Sequence, residues 1–368
     1  MASPTIRLIN GRRYGWGVDT EKELRPYVEA VNRALEEMLP RIPAKEYFRR
    51  VARIDGELDV EALRESLARP VWDLLDRGGK RWRPILGILT YEALGGRGED
   101  VVKLMAIPEL IHNGTLIVDD VEDGSDYRRG KPCIHKIYGE DIAINAGNTL
   151  YYLPIAALLA EHQLPADLEH TLLRIYVEEM VRLSIGQALD IAWHRSFGGV
   201  PGEDGYLTMC SLKTGSLARM PVRMACALAR ADGKVEEALS RFSTSIAVAF
   251  QIQDDLLNLV GDEVLYGKEI GGDIREGKRT LMVIHALRRL PREKSERLLR
   301  ILEMRTSDRA LITEGIDLIR ESGAIEYSRA VAERMVEESW RGVEQHLREG
   351  RAKELLRGLA EYLVSRSR

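Results

Sequence analysis

The sequence has few cysteines and no long apolar segment. Its three cysteines are odd in number and widely spaced, which indicates neither a disulfide framework nor a zinc site. No apolar run approaches the roughly 20 residues that a membrane span requires. The first twenty residues also lack the apolar stretch of a signal peptide. Together these absences predict a cytoplasmic protein without a membrane span.

Excess positive charge is also missing. The 368 residues carry a net charge of -4, so no broad basic field is available to neutralise the phosphates of a nucleic acid. The sequence contains no G-x-x-x-x-G-K-[ST] loop and no evident serine–histidine or cysteine–histidine nucleophile pair. These features argue against a nucleic-acid partner and against common nucleophilic hydrolases. They leave room for a small phosphorylated substrate that is held by a few local cations.

Helical periodicity dominates the chain, and alternating strand patterns are nearly absent. We predict an N-terminal extension over 1–58, with one helix that begins near Pro26 and a role that the sequence does not reveal. One large all-α domain over 59–368 follows. A helical pattern over residues 60–76 contains Pro70, which predicts a kink or a split there. Residues 206–231 are predicted to form a single helix.

The stretch LIVDDVEDGSDYRRGKP contains the first group of carboxylates, in the pattern D-D-x-x-D at Asp119, Asp120 and Asp123. Residues four apart share a helix face, so Asp119 and Asp123 can converge on one point. Carboxylates together with substrate phosphates are the ligands that Mg2+ prefers. A solvated acidic helix end would produce the same short motif, so the motif alone leaves both interpretations open.

A second group of carboxylates lies in FQIQDDLLNL. Asp254, Asp255 and Asn258 repeat the spacing of the first group, and Gln251 lies one turn earlier. Asn258 offers an oxygen ligand without a charge, so this group should bind a metal more weakly than three aspartates would. The neighbouring apolar residues favour a buried segment, in which carboxylates are costly unless they are paired or metal-bound. Two such helices facing each other could hold several Mg2+ ions around one diphosphate.

Basic segments accompany both groups. They are RGGKRWRP with Lys80, Arg81 and Arg83, YRRGKP with Arg128 and Arg129, LKTG with Lys213 and Thr214, and GKEIGGDIREGKRT with Lys268 and Lys278. Each segment alone is typical of a solvated surface. Together with the carboxylates they predict a site for a diphosphate and magnesium, because arginine and lysine bind phosphate oxygens. His112, two turns before the first group on the same face, either points into this site or is a core histidine.

The ordered motifs, together with GQALD at 186–190, resemble those of the trans-isoprenyl diphosphate synthases over about residues 60–350. HNGTLIVDDVED, RRGKPCIHKIYG, INAGNTLYYL and GAIEYSR are similar to segments of the eukaryotic-type geranylgeranyl diphosphate synthases. The resemblance implies the isoprenoid synthase fold, a single bundle of about ten or more helices around a central cavity. It also implies a homodimer or a higher homo-oligomer.

The implied reaction joins an allylic diphosphate (dimethylallyl, geranyl or farnesyl) to isopentenyl diphosphate in trans geometry. It depends on Mg2+, with three ions per site, and it releases diphosphate. The most favoured product is geranylgeranyl diphosphate, with twenty carbons (C20). The two substrates would then be the partners of the protein, and magnesium its cofactor.

The resemblance also implies roles for individual residues. The metal ligands would be Asp119, Asp120, Asp123, Asp254 and Asp255. The allylic diphosphate would be bound by Arg128, Lys213, Thr214, Gln251, Lys268 and Lys278, and isopentenyl diphosphate by Lys80, Arg83, His112 and Arg129. Catalysis would depend on Asp119, Asp120, Lys213, Thr214 and Gln251. The pocket that limits chain length would be lined by Gly114, Thr115, Tyr151 and Tyr152, with the tyrosines as its floor.

Three alternatives stay open from the sequence. The first is a synthase of products with 25 or more carbons. The second is a class I terpene cyclase, which shares the first acidic motif but has no need of Lys80, Arg83 and His112 for a second diphosphate. The third is a regulatory subunit of a heteromeric synthase, although such subunits commonly lose motif residues that are nearly all present here.

Overall fold

The computed structural model describes residues 8–9, 12–13, 18–161, 164–260 and 270–365. Helices account for nearly all of this part of the chain, so the all-α prediction is confirmed. The first helices are α1 (Val18–Met38), α2 (Lys45–Ala52), α3 (Val60–Leu63), α4 (Arg69–Asp76), α5 (Trp82–Ala93), α6 (Val102–Glu122), α7 (Ile134–Tyr138), α8 (Glu140–Glu161) and α9 (Ala166–His194). The later ones are α10 (Glu203–Lys213), α11 (Ser216–Leu228), α12 (Gly233–Val260), α13 (Gly272–Glu276), α14 (Leu281–Arg289), α15 (Arg292–Met304), α16 (Arg309–Glu321), α17 (Ala324–Val343) and α18 (Arg351–Ser365).

Two short hairpins add the only strands in the described ranges. In the first, β1 (Leu8–Ile9) pairs with β2 (Arg12–Arg13), and in the second, β3 (Tyr127–Arg128) pairs with β4 (Lys131–Pro132), both antiparallel. The second hairpin follows α6 directly. It turns the chain back, so that Arg128 of the YRRGKP segment lies beside Asp120 at the acidic end of that helix.

The N-terminal extension differs from its prediction. It contains two helices, and α1 begins at Val18 and passes through Pro26. A proline inside a helix costs about 3 kcal/mol. The helix continues because Val31, Leu35 and Met38 are buried, and each buried aliphatic side chain contributes roughly 1.5–3 kcal/mol. Helix α1 packs against α5 and α6, so the extension shares the core of the rest of the chain.

Two other predicted helices are interrupted in the structure. The pattern over residues 60–76 is split into α3, a π turn (Arg64–Ala68) and α4, with Pro70 in the first turn of α4. A proline ring clashes with the carbonyl four residues earlier in a regular helix, which accounts for the π turn. The single helix predicted over residues 206–231 is also wrong, because Thr214 and Gly215 separate α10 from α11.

Helix α11 is the central element of the bundle. It packs against α5, α6, α9 and α12. Its Ala218 and Val222 belong to the apolar core that includes α12, whereas Leu217, Met220 and Met224 face the core built on α6 and α8. Residues of opposite faces of one helix therefore join both cores. The site described below lies among α6, α9, α10 and α12.

One described helix segment, Glu140–Ala160, is long and apolar enough to cross a membrane, with a mean hydropathy of 1.3. Of its most apolar stretch, 44% is buried inside the protein. A buried core helix meets the same criterion, so this segment is weak evidence for a membrane span. The cytoplasmic location stays a prediction.

Candidate active site

A cavity of about 470 Å3 opens among the helices that carry the sequence motifs. This volume lies within the range of ordinary ligand pockets, about 300–1,000 Å3. Polar side chains line one part of its wall, among them Asp119, Arg128, Lys213, Asp254 and Lys278. Apolar and small residues line the rest. The fold therefore brings residues of both carboxylate groups and of all four basic segments, including Arg83 of RGGKRWRP, to one cavity.

Asp119 is held at the cavity wall by residues of two other helices. Its Oδ1 accepts hydrogen bonds from Gln187 Nε2 at 2.8 Å and from Lys213 Nζ at 3.2 Å. Burial alone would raise the pKa of Asp119, but the charges of Lys213, Lys278 and Arg128 outweigh it and lower that pKa below its ordinary value. Asp119 is therefore ionised and available to a cation.

Asp120 is almost fully buried behind Asp119. Its Oδ1 accepts a hydrogen bond from Arg128 Nε at 2.8 Å and a second bond from the same guanidinium. Its Oδ2 is buried and has no hydrogen-bond partner among the described residues. A buried carboxylate oxygen left in this way costs roughly 1–3 kcal/mol. Asp120 does not line the cavity, so this oxygen is enclosed by protein in the present conformation.

Asp123 accepts a hydrogen bond from Lys278 Nζ at 3.2 Å. Burial raises the pKa of Asp123 to about 7, because Lys278 offsets the loss of water only in part and Asp119 adds repulsion. Glu122, which accepts a hydrogen bond from Gln187 Nε2 at 2.6 Å, also has a pKa raised by burial. These carboxylates therefore have less positive charge around them than full ionisation needs.

Lys213 connects the first carboxylate group to the GQALD motif. Its Nζ lies 2.6 Å from Asp190 Oδ2 and 3.2 Å from Asp119 Oδ1. Gln187 and Asp190 received no role from the sequence, although both lie in GQALD, and their three-residue spacing on α9 places them on one face. The spacing could have indicated that both side chains face the same site. The tertiary structure shows that they contact Asp119 and Lys213.

A chain of hydrogen bonds orders the second carboxylate group. Thr214 Oγ1 donates to Gln251 Oε1 at 3.0 Å, and Gln251 Nε2 donates to Asp255 Oδ1 at 2.8 Å. Tyr206 donates to the other oxygen of Asp255 at 2.8 Å. Burial nevertheless raises the pKa of Asp255 to about 6. Asp254, which also lines the cavity, is the member of this pair that faces the open space.

Asn258 has a structural partner. Its Oδ1 accepts a hydrogen bond from the backbone N–H of Asp273 at 3.0 Å, and its carbonyl accepts one from Gly271 at 2.8 Å. Asn258 therefore holds the turn that leads to Lys278. The expectation that its side chain would act as a weak metal ligand is not supported by this position.

Arg83 and His112, both predicted to bind isopentenyl diphosphate, line the cavity. Burial lowers the pKa of Arg83 to about 10, and its Nε has no hydrogen-bond partner among the residues described. Burial, followed by the charges of Arg83 and Arg129, lowers the pKa of His112 well below its ordinary value. Arg81 is instead buried in an ion pair with Glu109 at 3.0 Å, so its role is structural.

Lys80 and Arg129, also predicted to bind isopentenyl diphosphate, lie away from the cavity. Lys80 is exposed, with its Nζ 4.7 Å from the centre of the Tyr362 ring on α18. Arg129 donates to the carbonyl of Leu74 at 3.0 Å. Neither residue lines the cavity, and their assignment to isopentenyl diphosphate stays a prediction. Lys268 lies outside the described residues.

The residues predicted to limit chain length separate into two pairs. Thr115 and Tyr151 line the cavity. Gly114 does not, because it lies where α6 crosses α8: a Cβ atom at this position would be 2.6 Å from the carbonyl oxygen of Gly147. Tyr152 points outward and is 68% exposed. Tyr152 therefore does not line the cavity in this structure, and its role in product length stays a prediction.

The donor set fits magnesium. Among the described residues, no three acidic, histidine or cysteine side chains converge to hold an ion by themselves. Magnesium usually binds through one or two carboxylates and takes its other ligands from water and phosphates. The unpartnered oxygen of Asp120 and the raised pKa of Asp123 mark places where added positive charge would be stabilising.

The all-α bundle, with carboxylates, cations and apolar residues around one cavity, has the isoprenoid synthase fold. The chain belongs to the polyprenyl synthetase family, whose profile matches residues 64–319. It is an isoprenyl diphosphate synthase, a transferase of prenyl groups, as the resemblance implied. This family membership favours the synthase over the cyclase alternative.

Individual relatives agree with this placement. The chain is 40% identical over 257 residues to a short chain isoprenyl diphosphate synthase of Methanocaldococcus jannaschii, covering 70% of this chain and 76% of that protein. It is 32% identical to a geranylfarnesyl diphosphate synthase of Aeropyrum pernix, covering 80% and 92%. A crystal structure of polyprenyl synthase from Caulobacter crescentus, complexed with calcium and isoprenyl diphosphate, is similar with a TM-score of 0.80 and 26% identity, covering 97% and all of that chain.

Proposed function

We propose that the protein adds isopentenyl diphosphate to an allylic diphosphate (dimethylallyl, geranyl or farnesyl) in a Mg2+-dependent reaction, with geranylgeranyl diphosphate as the main product. One observation carries this proposal. One cavity is lined by carboxylates and cations, among them Asp119 and Lys213, and also by small or apolar residues such as Thr115 and Leu217. This arrangement matches a molecule with a charged head and a long apolar tail.

The two cavity lysines are already neutralised by carboxylates. Lys213 contacts Asp119 and Asp190, and Lys278 contacts Asp123 and Glu276. The lysines lie where they could donate to the phosphate oxygens of a bound diphosphate, and their partners Asp119 and Asp123 are among the residues that would hold metal ions. The charges are held in place before the substrate arrives, so little reorganisation is needed.

The metal site would be built from Asp119, Asp120 and Asp123 on α6 and from Asp254 and Asp255 on α12, with three ions as the proposed number. Magnesium bound there would supply the positive charge that stabilises the diphosphate as a leaving group. Arg128 orients Asp120 through two hydrogen bonds. Gln251 orients Asp255 and itself accepts a bond from Thr214.

The second substrate would lie near Arg83 and His112. The Arg83 guanidinium is buried and keeps one N–H without a partner in the described residues, which suits a phosphate oxygen. His112 is neutral near pH 7 because its pKa is lowered, so it can donate one hydrogen bond without adding charge.

Ionisation of the allylic C–O bond gives a carbocation, which the isopentenyl double bond attacks. The released diphosphate can accept the proton that is then lost.

We also propose a homodimer. A stripe of exposed apolar residues runs along α8 and α9 and consists of Ile144, Tyr152, Val177, Val181 and Ile185. Their spacings of four and eight residues place them on one face of each helix. A large exposed apolar surface is typical of a protein interface. Size-exclusion chromatography with light scattering tests the proposal, and a monomer at micromolar concentration would contradict it.

A product longer than C20 is the alternative that a specific observation favours. The side chain of Tyr152, expected to close the pocket, points away from it, and Thr115 and Ser184 leave the wall small. The relative from Aeropyrum pernix is named as a geranylfarnesyl diphosphate synthase. A longer product would keep the same chemistry and change only the length of the tail.

The test is incubation of the purified protein with Mg2+, farnesyl diphosphate and labelled isopentenyl diphosphate, followed by chromatography of the products. A labelled C20 diphosphate is expected, and addition of EDTA should abolish it. Longer labelled products would refute the C20 assignment alone. A hydrocarbon formed from farnesyl diphosphate without incorporation of the label would refute the synthase and support a cyclase.

A further inference from the structure

Glu179 of α9 and Arg219 of α11 form a buried ion pair, and neither residue lines the cavity. Arg219 Nε lies 3.0 Å from each carboxylate oxygen of Glu179, and Nη2 lies 2.7 Å from Oε2. The same guanidinium donates to Thr244 Oγ1 on α12 at 2.9 Å and to Ser216 Oγ on α11 at 3.2 Å. One side chain therefore joins three helices.

The same part of the bundle meets again at the cavity, about two turns further along α9 and α12. On α9, Glu179 lies seven residues before Gly186, and on α12, Thr244 lies seven residues before Gln251. Seven residues are close to two helical turns, roughly 10.5 Å, so the members of each pair share a face. A Cβ atom on Gly186 would lie 2.3 Å from the backbone nitrogen of Lys213. The backbone of α9 therefore touches the end of α10 at this level.

The ion pair is connected to the break between α10 and α11. Ser216 Oγ, which accepts from Arg219, donates to the carbonyl of Leu212 at 2.7 Å and so bridges the break. Thr214, within the break, donates to Gln251 of α12 at 3.0 Å. A shift of α11 against α9 would therefore move the break, and with it the lysine and the threonine that line the cavity there.

Burial of the pair makes a role in alignment the best physical account of it. A buried ion pair is weak evidence for stability, because the cost of removing two charges from water can exceed the attraction between them. Its best-attested use is to fix the register of packed helices. The four partner atoms of Arg219 belong to three helices, so its hydrogen bonds can form together only when α9, α11 and α12 are aligned as they are here.

We propose that Glu179 and Arg219 are positioning residues, which align α11 with α9 and α12 so that Lys213 and Thr214 reach their places in the cavity. This inference rests on the proposed function, in which Lys213 and Thr214 bind the allylic diphosphate. Isopentenyl diphosphate is assigned there to side chains of α5 and α6. Loss of the alignment should therefore impair the allylic substrate selectively.

The experiment replaces both charges at once, with Glu179→Leu and Arg219→Met in one protein. Replacement of a whole buried ion pair by apolar residues is often neutral for stability or stabilising, whereas removal of one partner is destabilising. The other cations at Glu179 do not become buried and unpaired. Arg223 keeps Glu236 at 3.1 Å, and Arg182 is exposed to water.

The matched control is Arg297→Met with Glu314→Leu. This pair also joins two helices, α15 and α16, through two hydrogen bonds of 2.7 Å, and neither residue lines the cavity. In the Glu179→Leu/Arg219→Met variant we expect kcat to fall by about tenfold or more and KM for the allylic diphosphate to rise. KM for isopentenyl diphosphate and the melting temperature should match the wild type, and the control variant should keep all three kinetic constants.

Each outcome decides one point. Wild-type constants in the folded variant would overturn the inference and leave the proposed function intact. Equal changes of KM for both substrates, or the same change in the control, would also overturn it, since the effect would then not be specific to this alignment. If the variant does not fold, Ser216→Ala breaks only the bridge to Leu212, and an unchanged KM for the allylic diphosphate would overturn the inference. Absence of any prenyl product from the wild type would refute the proposed function itself.

Discussion

Lys278 Nζ lies 3.2 Å from Asp123 Oδ2, although the two residues are 155 positions apart in the sequence. The contact joins the last basic segment to the end of the first acidic motif. Both residues are partly buried, and the charge of Asp123 is one cause of the raised pKa of Lys278. The proposed binding of a diphosphate would give Lys278 a second anionic partner beside Asp123.

The first prediction concerns Asp119. Asp119→Ala removes the carboxylate that Gln187 and Lys213 hold at the cavity wall, and turnover should fall by about 10²–10³-fold or more. The fold should persist, because Lys213 keeps Asp190 as a partner. Steady-state kinetics and circular dichroism measure the two effects. Asp126→Ala is the control, since Asp126 is an exposed carboxylate paired with Lys136. Equal turnover in both variants would refute the role of Asp119 in the active site.

The second prediction concerns the two adjacent tyrosines. Tyr151→Ala enlarges the cavity and should give longer products, whereas Tyr152→Ala should leave product length unchanged, because its side chain points to the surface. Chromatography of the labelled products provides the measurement. Longer products from Tyr152→Ala alone would mean that this side chain turns inward in the working enzyme.

The third prediction concerns Asn258. Asn258→Ala leaves the backbone N–H of Asp273 without its acceptor, and loss of a buried hydrogen bond costs about 1–3 kcal/mol. Thermal unfolding should show this loss. Asn258→Asp keeps an acceptor oxygen and is the matched comparison. If both variants unfold like the wild type, the turn before Lys278 does not depend on this contact.

The fourth prediction concerns the protonation of His112. Its pKa is lowered in the folded protein, first by burial and then by arginines, so the folded state favours the neutral ring. This contribution to stability is present above the unfolded value of about 6.5 and is lost as the pH falls towards the lowered folded value. Inorganic diphosphate bound nearby should raise the pKa of His112, because an anion stabilises the charged ring.

Nuclear magnetic resonance of the histidine rings measures this change. His170 on the exposed surface of α9 is the internal control, and its signal should not respond to diphosphate. A His112 signal that also ignores diphosphate would place the second phosphate site elsewhere, for example near the exposed Lys80.

The sequence by itself determined the helical class and the position of both acidic motifs. Each depends on spacing along the chain: four residues bring Asp119 and Asp123 to one face, and Gln251 and Asp255 to another. Local spacing also located the break at Pro70, because a proline removes a donor and clashes wherever it lies in a helix. Such features need no knowledge of the neighbouring helices.

Only the tertiary structure decided which side chains meet the cavity. Tyr151 lines the cavity and the adjacent Tyr152 does not, and this difference depends on how α8 packs against α6. The same packing made Gly114 a contact between helices. The partners of Lys213 and Lys278 come from distant segments, and their distances depend on how those segments pack, which no local pattern of residues encodes.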